Sequence, residues 1–232
     1  ASWDTTVRGF TVSNAIGGEN LSFEGYELPA GQFTAENFEE YGAVGSALRI
    51  IDTKYVTIED CHFKDNYSPL IGGAAFIMSH GGGDLDAILH RCHFYDNNCD
   101  FYGGALAIFG KPSNVVGPKV TISECHFEGN YAASGSAAYM FNTRATSLEY
   151  CTVVRNKSAL AATLLYENSF GQISDCTIKE NETASAAAGN SAGIYNLLGG
   201  TPIRGVIWIW RTYMCGNLCD GVPANVASSA PV

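Results

Sequence analysis

The stretch VTIEDCHFKDN, residues 56–66, returns four more times along the chain and decides the fold. Each copy contains an aliphatic residue, two variable residues, Cys, one variable residue, an apolar residue, two variable residues and Asn. Successive cysteines are 31, 33, 26 and 25 residues apart, a spacing typical of solenoids and arrays. The repeated positions are Cys61, Cys92, Cys125, Cys151 and Cys176, followed by Asn66, Asn97, Asn130, Asn156 and Asn181.

The spacing inside each copy indicates short strands separated by corners. Cys61 and Phe63 are two residues apart and share a strand face, whereas Ile58 and Cys61 are three apart, which breaks the alternation. We therefore predict one corner at 59–60 and a second at 64–66. A third strand, rich in small residues, is expected at 72–78, 103–109, 135–141, 160–166 and 191–198. This pattern predicts an all-β, single-domain right-handed parallel β-helix of about seven coils, with three short strands per coil.

The repeat also sets the expected domain organisation. We expect the β-helix to occupy 1–221, with 15–44 as an insertion that caps its N-terminal end, because an uncovered end is a row of edge strands. Residues 201–221 form the expected C-terminal cap, and their two tryptophans suit the plugging of an open end. Residues 222–232 are small and contain proline, which is typical of a tail or linker.

Composition excludes some partners. The formal net charge of −10 argues against binding to nucleic acid or to anionic membranes. No run of about 18 apolar residues is present, so no membrane span is predicted. The chain begins at Ala1 rather than Met, so we expect either a removed signal peptide or an excised piece.

The repeated cysteines and asparagines both have structural interpretations. Buried Cys behaves as a small hydrophobe, and a stack of Asn at a bend can bond from one coil to the next. Asn66, Asn156 and Asn181 also lie in N-x-[ST] sequons, for which we favour the stack over a glycan; Asn20, in the insertion, is the better glycosylation site. In the terminal segment we expect a local disulfide between Cys215 and Cys219.

The pairing of F-x-x-N with G-G-A-aliphatic segments resembles the repeat of chlamydial polymorphic outer-membrane proteins and of similar surface proteins of algae and other protists. It reads FKDN and GGAA, FYDN and GGAL, and FEGN and GSAA, within residues 56–196. The resemblance implies a surface-exposed passenger β-helix used in adhesion, and hence an extracellular location. The chain shows no β-barrel translocator, so the autotransporter part of the analogy is not supported.

Two groups of residues are candidate metal ligands. His62, His93 and His126 follow the repeated cysteines on adjacent coils and point outward, and imidazole is a common metal ligand. A solvent-facing column of strand-compatible residues is the favoured interpretation. Asp84 and Asp86 in GGGDLD resemble a fragment of a calcium loop, although a single solvated loop is favoured. We therefore expect no cofactor, with calcium as the alternative.

The third strand is apolar on both of its faces. If Ala75, Ile77, Leu106, Ile108, Ala138 and Met140 face the core, the other face carries the side chains of Phe76, Met78, Phe109, Tyr139 and Phe141. An exposed apolar strip of this kind usually marks a partner surface. The alternative is that the insertion or the tail covers it.

These observations favour an extracellular structural or adhesive module over an enzyme. We expect a subunit of a cell-surface assembly or filament, whose partners are protein, through self-assembly or other surface subunits, or glycans. The alternative is a carbohydrate-active enzyme, a pectate-lyase-like lyase or epimerase, or a sugar-binding module without turnover. That analogy is at the level of the fold, and no carboxylates pair at the spacing of a glycosidase.

Overall fold

The chain winds through four short strands in each turn, one more than predicted. The computed structural model describes residues 4–16, 45–79, 85–110, 117–184, 191–197 and 205–228, in which all regular structure is β-strand. The strands stack into four sheets of seven strands each, so the expectation of about seven coils is confirmed. Successive strands within a sheet pair in parallel, except for β27 at the C-terminal end. In this description no helix is long and apolar enough to cross a membrane.

The first and second sheets come from the two halves of the repeated skeleton. The first sheet contains β1 (Asp4–Arg8), β4 (Tyr55–Glu59), β8 (Asp86–His90), β12 (Lys119–Ser123), β16 (Ala145–Glu149), β20 (Gly171–Ser174) and β24 (Ile207–Trp210). The second sheet contains β2 (Thr11–Ser13), β5 (His62–Lys64), β9 (His93–Tyr95), β13 (His126–Glu128), β17 (Thr152–Val154), β21 (Thr177–Lys179) and β25 (Tyr213–Cys215).

The third sheet is the one that the sequence did not reveal. It contains β6 (Tyr67–Ser68), β10 (Asn98–Cys99), β14 (Tyr131–Ser134), β18 (Lys157–Ala161), β22 (Glu182–Thr183), β26 (Leu218–Cys219) and β27 (Val222–Pro223). The fourth sheet contains β3 (Leu48–Ile51), β7 (Ala75–Ser79), β11 (Leu106–Gly110), β15 (Ala138–Phe141), β19 (Leu164–Glu167), β23 (Ile194–Leu197) and β28 (Val226–Ser228).

The corner between the first and second sheets lies where the spacing predicts it. One residue per repeat there has a left-handed backbone, with φ between 49° and 56°. Such a residue turns the chain without a loop, at a steric cost of about 1–2 kcal/mol for a residue other than glycine. The left-handed residues in the five repeats are Asp60, Arg91, Glu124, Tyr150 and Asp175.

Glycine pairs precede two of the fourth-sheet strands, β7 and β11, for two separate reasons. Gly103 has φ of 71°, a left-handed conformation that glycine adopts at no steric cost. Gly104 has no such φ, but a Cβ built there would lie 2.3 Å from the carbonyl oxygen of Ser136 in the next coil. The glycine pair therefore permits the turn and also the close approach of the next coil.

The core is a set of columns that run along the coil axis. Phe63, Phe94 and Phe127 stack with centroids 4.9 Å and 4.8 Å apart and planes 13° and 2° from parallel. Burying one such ring stabilises the fold by about 1.5–3 kcal/mol. Three coils contribute such a ring and five contribute a thiol, and aliphatic side chains extend the same cluster, so the core is continuous through the stack.

Two parts of the predicted domain organisation differ from the structure or lie outside it. Residues 17–44 of the insertion, including Asn20, lie outside the described residues, as do 201–204 of the expected C-terminal cap. Residues 222–228 were predicted as tail or linker but form β27 and β28, of which β28 pairs in parallel with β23. Small side chains allow this, since the backbone of Ala224 comes close enough to accept a hydrogen bond from the amide of Ala192 at 3.0 Å.

Candidate functional site

The repeated asparagines form one continuous inner ladder at the bend between the second and third sheets. Asn66 donates from its backbone amide and its side-chain Nδ2 to Oδ1 of Asn97, at 3.1 Å and 2.9 Å. The same pair of bonds repeats through Asn130, Asn156 and Asn181 and ends on Asn217. These amides are buried and hydrogen-bonded, which favours the structural interpretation of the three sequons in the ladder.

The repeated cysteines lie in the core and are all free and buried. Each thiol donates to a carbonyl oxygen of the preceding coil, as Cys92 does to Ile58 at 3.4 Å. The backbone amide of Cys92 contacts Sγ of Cys125 at 3.4 Å. A hydrogen bond with the neighbouring thiol of Cys176, together with burial, raises the pKa of Cys151 well above its usual range. The five repeated thiols are thus packed as core side chains.

The predicted disulfide between Cys215 and Cys219 is absent, because the two side chains point to opposite sides of the coil. Neither thiol is part of a disulfide. Cys215 ends β25 in register with Lys179 on the outer side. Cys219 is in register with the buried Thr183. The ladder residue Asn217 lies between them, so the bend separates two thiols that are only four positions apart.

The apolar outer strip of the fourth sheet is buried, so the prediction of an exposed partner surface there is wrong. The predicted directions are right: Ala75, Ile77 and their counterparts belong to the main core, and the alternate residues form a second apolar cluster with Leu70 and Ile71. Phe76, Met78, Phe109 and Tyr139 are at most 3% exposed, and Phe141 is partly buried. The strip is therefore a second core layer.

One ionisable pair, the buried Tyr139 and the half-buried Glu167, lies in this second layer. Tyr139 donates from its hydroxyl to Oε2 of Glu167 at 2.6 Å, and its ring stacks on Tyr102 with centroids 4.6 Å apart. Burial raises the pKa of Glu167 above its ordinary value, and the hydrogen bond from Tyr139 opposes that rise. The pair satisfies two polar groups that would otherwise be buried without partners.

The outer face of the first sheet is open and contains a groove of about 560 Å³. The middle outward position of each strand forms a column along the sheet, in register through Thr57, Ile88, Thr121, Ser147, Gln172 and Trp208. Trp208 is 62% exposed and Phe170 is 39% exposed, and both line the groove. Hydroxyl and amide side chains followed by exposed aromatic rings make a surface that can both hydrogen-bond and stack.

Contrary to the prediction, the two tryptophans do not plug the C-terminal end. Trp208 and Trp210 both point outward, and Ile207 and Ile209 pack against the core instead. The sequence did contain the signal for this arrangement. Ile209 occupies the place of the buried Ile58 in the repeated skeleton, so its two neighbours must point away from the core.

The acidic side chains around this face are not paired for acid–base catalysis. Asp86 and Glu149 lie two strands and four positions apart, so their Cα atoms are about 16 Å from each other at ordinary strand spacings. Two carboxyl groups that cleave a glycosidic bond lie about 5–9.5 Å apart. Asp86 instead forms an ion pair with Arg144 at 3.3 Å. The groove is thus better suited to binding than to glycoside hydrolysis.

A second acidic cluster, at the first corner, is neutralised by arginine. Arg91 contacts Glu59 and bonds to Asp60 at 2.7 Å, and Arg8 bonds to the other oxygen of Asp60 at 3.0 Å. The hydrogen bond from Arg91 is the main reason that the pKa of Asp60 falls to about 2. A carboxyl group held in this way is a poor proton donor at neutral pH.

The three predicted histidines stack on the outer face of the second sheet. The rings of His62 and His93 lie 4.7 Å apart and 20° from parallel, and those of His93 and His126 lie 5.9 Å apart. Burial, with a smaller effect of the two neighbouring histidines, lowers the pKa of His93. Tyr95 and Glu128 lie beside the stack, which borders a groove of about 390 Å³.

No preformed metal site is evident from these candidates. Within the ranges that the structure describes, no three His, Cys, Asp or Glu side chains are grouped closely enough to hold a metal ion. Asp84 lies outside the described residues, and Asp86 is engaged with Arg144. The calcium loop considered above therefore stays a prediction without structural support.

Comparison with known proteins identifies the fold class of the chain. A family model described as right handed beta helix region matches residues 90–213, which is more than half of the 232 residues. No curated protein matches the chain, and no solved structure does. The match agrees with the stacked parallel sheets described above.

Proposed function

The chain belongs to the right-handed β-helix family, and from this premise we propose that it is a non-catalytic, extracellular adhesive module that binds saccharide on the open face of its first sheet. The observation that carries this proposal is the groove between Lys119 and Trp208, which ends in two exposed aromatic rings. Proteins recognise ligands through a few polar groups placed among apolar and aromatic surface.

The arrangement of the groove favours a sugar ring as the ligand. An exposed indole such as that of Trp208 presents a flat apolar face to the C–H groups of a sugar, while Gln172, Ser147 and Thr121 offer donors and acceptors for its hydroxyls. The strands beneath pair in register from β12 to β24, which restricts the positions of these polar groups. Little conformational entropy is lost when such a site binds its ligand.

The charge balance favours a neutral saccharide over a polyuronate. Of the two cations lining the groove, Arg144 is already paired with Asp86, and Lys119 shares the groove with Glu149. The net charge of −10 would also repel a polyanion over distances of about a Debye length. The extracellular location rests on the resemblance of the F-x-x-N and G-G-A segments to surface proteins. The predicted apolar interface is not part of the proposal, because that strip is buried.

The test is binding to defined oligosaccharides. We expect the chain to bind at least one of cellohexaose, xylohexaose, mannohexaose and galactohexaose in isothermal titration, and Trp208→Ala to weaken that binding at least tenfold. Trp210→Ala is the matched control, because it removes the same side chain from the same strand but not from the groove lining. The proposal fails if none of the four binds, or if both variants weaken binding equally.

A separate assay tests the enzymatic alternative. Incubation with polygalacturonate, with and without calcium, should give no unsaturated product, which would be detected by its absorbance in the ultraviolet. Formation of such a product would show that the chain is a lyase rather than a non-catalytic binding module. The same assay on Trp208→Ala would then show whether the groove is where the polymer reacts.

A further inference from the structure

We propose that the imidazoles of His62 and His93 form a two-ligand chelate for a borderline divalent transition-metal ion, on the outer face of the second sheet. This inference is independent of saccharide binding, since the first sheet carries that groove. It concerns a pair of protein ligands, with water completing the coordination of the ion. It does not need a group of three ligating residues, which the described ranges do not contain.

The register of the strands places the two imidazoles side by side. His62 and His93 are direct partners in the parallel pair β5 and β9, and their rings lie 4.7 Å apart and nearly parallel. Two nitrogen ligands at about 2.1 Å from one ion lie about 3.0–3.4 Å from each other. The ring centroids lie about 1.5 Å farther apart than this, so the two rings must tilt toward each other, and His62 is exposed enough for its ring to reorient.

The hydroxyl of Tyr95 orients the ring of His93. Its Nδ1 lies 2.7 Å from the hydroxyl of Tyr95. When Nδ1 donates that hydrogen bond, Nε2 carries the lone pair and is ready to bind a metal. Metal-ligating histidines generally have a partner of this kind on their other ring nitrogen, and it fixes both the tautomer and the ring orientation.

The third histidine, His126, differs from the pair in its hydrogen bond and in its distance. His126 has its Nε2 engaged by Oε2 of Glu128 at 2.8 Å, and its ring is 5.9 Å from that of His93. Metal binding there would have to break an existing bond and close a wider gap. The geometry thus assigns the chelate to His62 and His93, with Asp96 and Glu128 lining the adjacent groove.

Imidazole pairs favour copper, nickel and zinc over calcium and magnesium. Nickel is the best probe, because copper oxidises thiols and zinc binds them, and Cys215 is partly exposed. The experiment is a calorimetric titration of the untagged chain with Ni²⁺ at pH 7.5. We expect binding of one ion, weakened at least tenfold by His62→Ala and by His93→Ala.

Three further variants separate a chelate from non-specific binding. Tyr95→Phe removes the orienting hydroxyl but no ligand, and should weaken Ni²⁺ binding about tenfold. His126→Ala and His90→Ala should leave the dissociation constant within about threefold of the wild-type value. The proposal is overturned if His62→Ala and His93→Ala bind Ni²⁺ as the wild type does, or if His90→Ala is as damaging as either. Unaltered circular dichroism of each variant shows that a loss of binding is not a loss of fold.

Discussion

The outer faces of the first and fourth sheets both point away from the coil axis, yet only one of them is open. On the fourth sheet the outward residues are apolar, and Phe76, Phe109 and Tyr139 are buried in a second core layer. On the first sheet the outward column is mostly polar and ends at the exposed Trp208. Strand alternation therefore gives the direction of a side chain, and the composition of the outer column indicates whether that face is covered.

The largest effect is expected from opening a cavity in the covered face. Phe109→Ala removes a ring that is 3% exposed and packed against Phe76, Tyr139 and Phe141. We expect the free energy of unfolding to fall by about 3–5 kcal/mol. Trp208→Ala, on the open face, should change it by less than about 0.5 kcal/mol. Urea unfolding followed by circular dichroism measures both, and equal losses would remove the distinction between the faces.

The next effect comes from the ladder that supports both faces. Asn130→Ala leaves the backbone amide and the Nδ2 of Asn97 without their acceptor. Unsatisfied buried donors cost about 1–3 kcal/mol each, so we expect a loss of about 2–4 kcal/mol. Asn98→Ala, at an exposed position of the adjoining third-sheet strand, is the control. A loss below about 1 kcal/mol would mean that the ladder is not what holds the bend.

A smaller, pH-dependent effect distinguishes the covered face from the open one. The pKa of Glu167 is raised by burial above its ordinary value of 4.5. A group whose folded pKa is raised contributes stability that is complete below the unfolded pKa and is lost as pH rises through the folded pKa. Relative to Glu167→Gln, the wild type should therefore lose stability above about pH 4.5, by at most about 1.4 kcal/mol per pH unit. Parallel stability curves for the two proteins would show that this carboxyl group is solvated.

The smallest effect concerns the corner at the edge of the open face. Tyr150 has φ of 56° and an exposed side chain. Tyr150→Gly should relieve about 1–2 kcal/mol of steric strain and give back part of it through the greater flexibility of the unfolded chain. We expect the free energy of unfolding, measured by thermal unfolding, to rise by about 0.5 kcal/mol. Tyr150→Ala keeps the strain and should not increase the free energy of unfolding. An increase of the same size in Tyr150→Ala would mean that the loss of the tyrosine side chain, and not the relief of strain, is the cause.

The coil was predictable because its determinants are local. The skeleton around Cys61 contains an alternation, a corner and an inward Asn, and the corner at Asp60 and the ladder at Asn66 both lie where that spacing predicts. The third sheet was missed because a two-residue strand such as Tyr67–Ser68 is too short to show alternation. The missing disulfide has a related cause, since Asn217 turns inward between two cysteines whose spacing alone shows no bend.

The candidate sites were less predictable because they depend on what covers a face. The sequence placed Phe109 on the outer side but could not show that the outer side is buried. It placed the three histidines on adjacent coils, whereas the hydroxyl of Tyr95 beside His93 became evident only from the structure. The groove at Trp208 was missed, although the register of Ile209 with Ile58 already required an outward indole.

The central claim, that the first sheet is open and the fourth is covered, is tested most directly by hydroxyl-radical footprinting of two phenylalanines. Phe170 lines the groove and is 39% exposed, whereas Phe109 is 3% exposed on the outer face of the fourth sheet. Because the two side chains have the same intrinsic reactivity, their oxidation rates in one sample compare exposure alone. We expect Phe170 to be oxidised at least about five times faster than Phe109, because its side chain is far more exposed. Oxidation of Phe109 at a rate equal to that of Phe170 would contradict this claim.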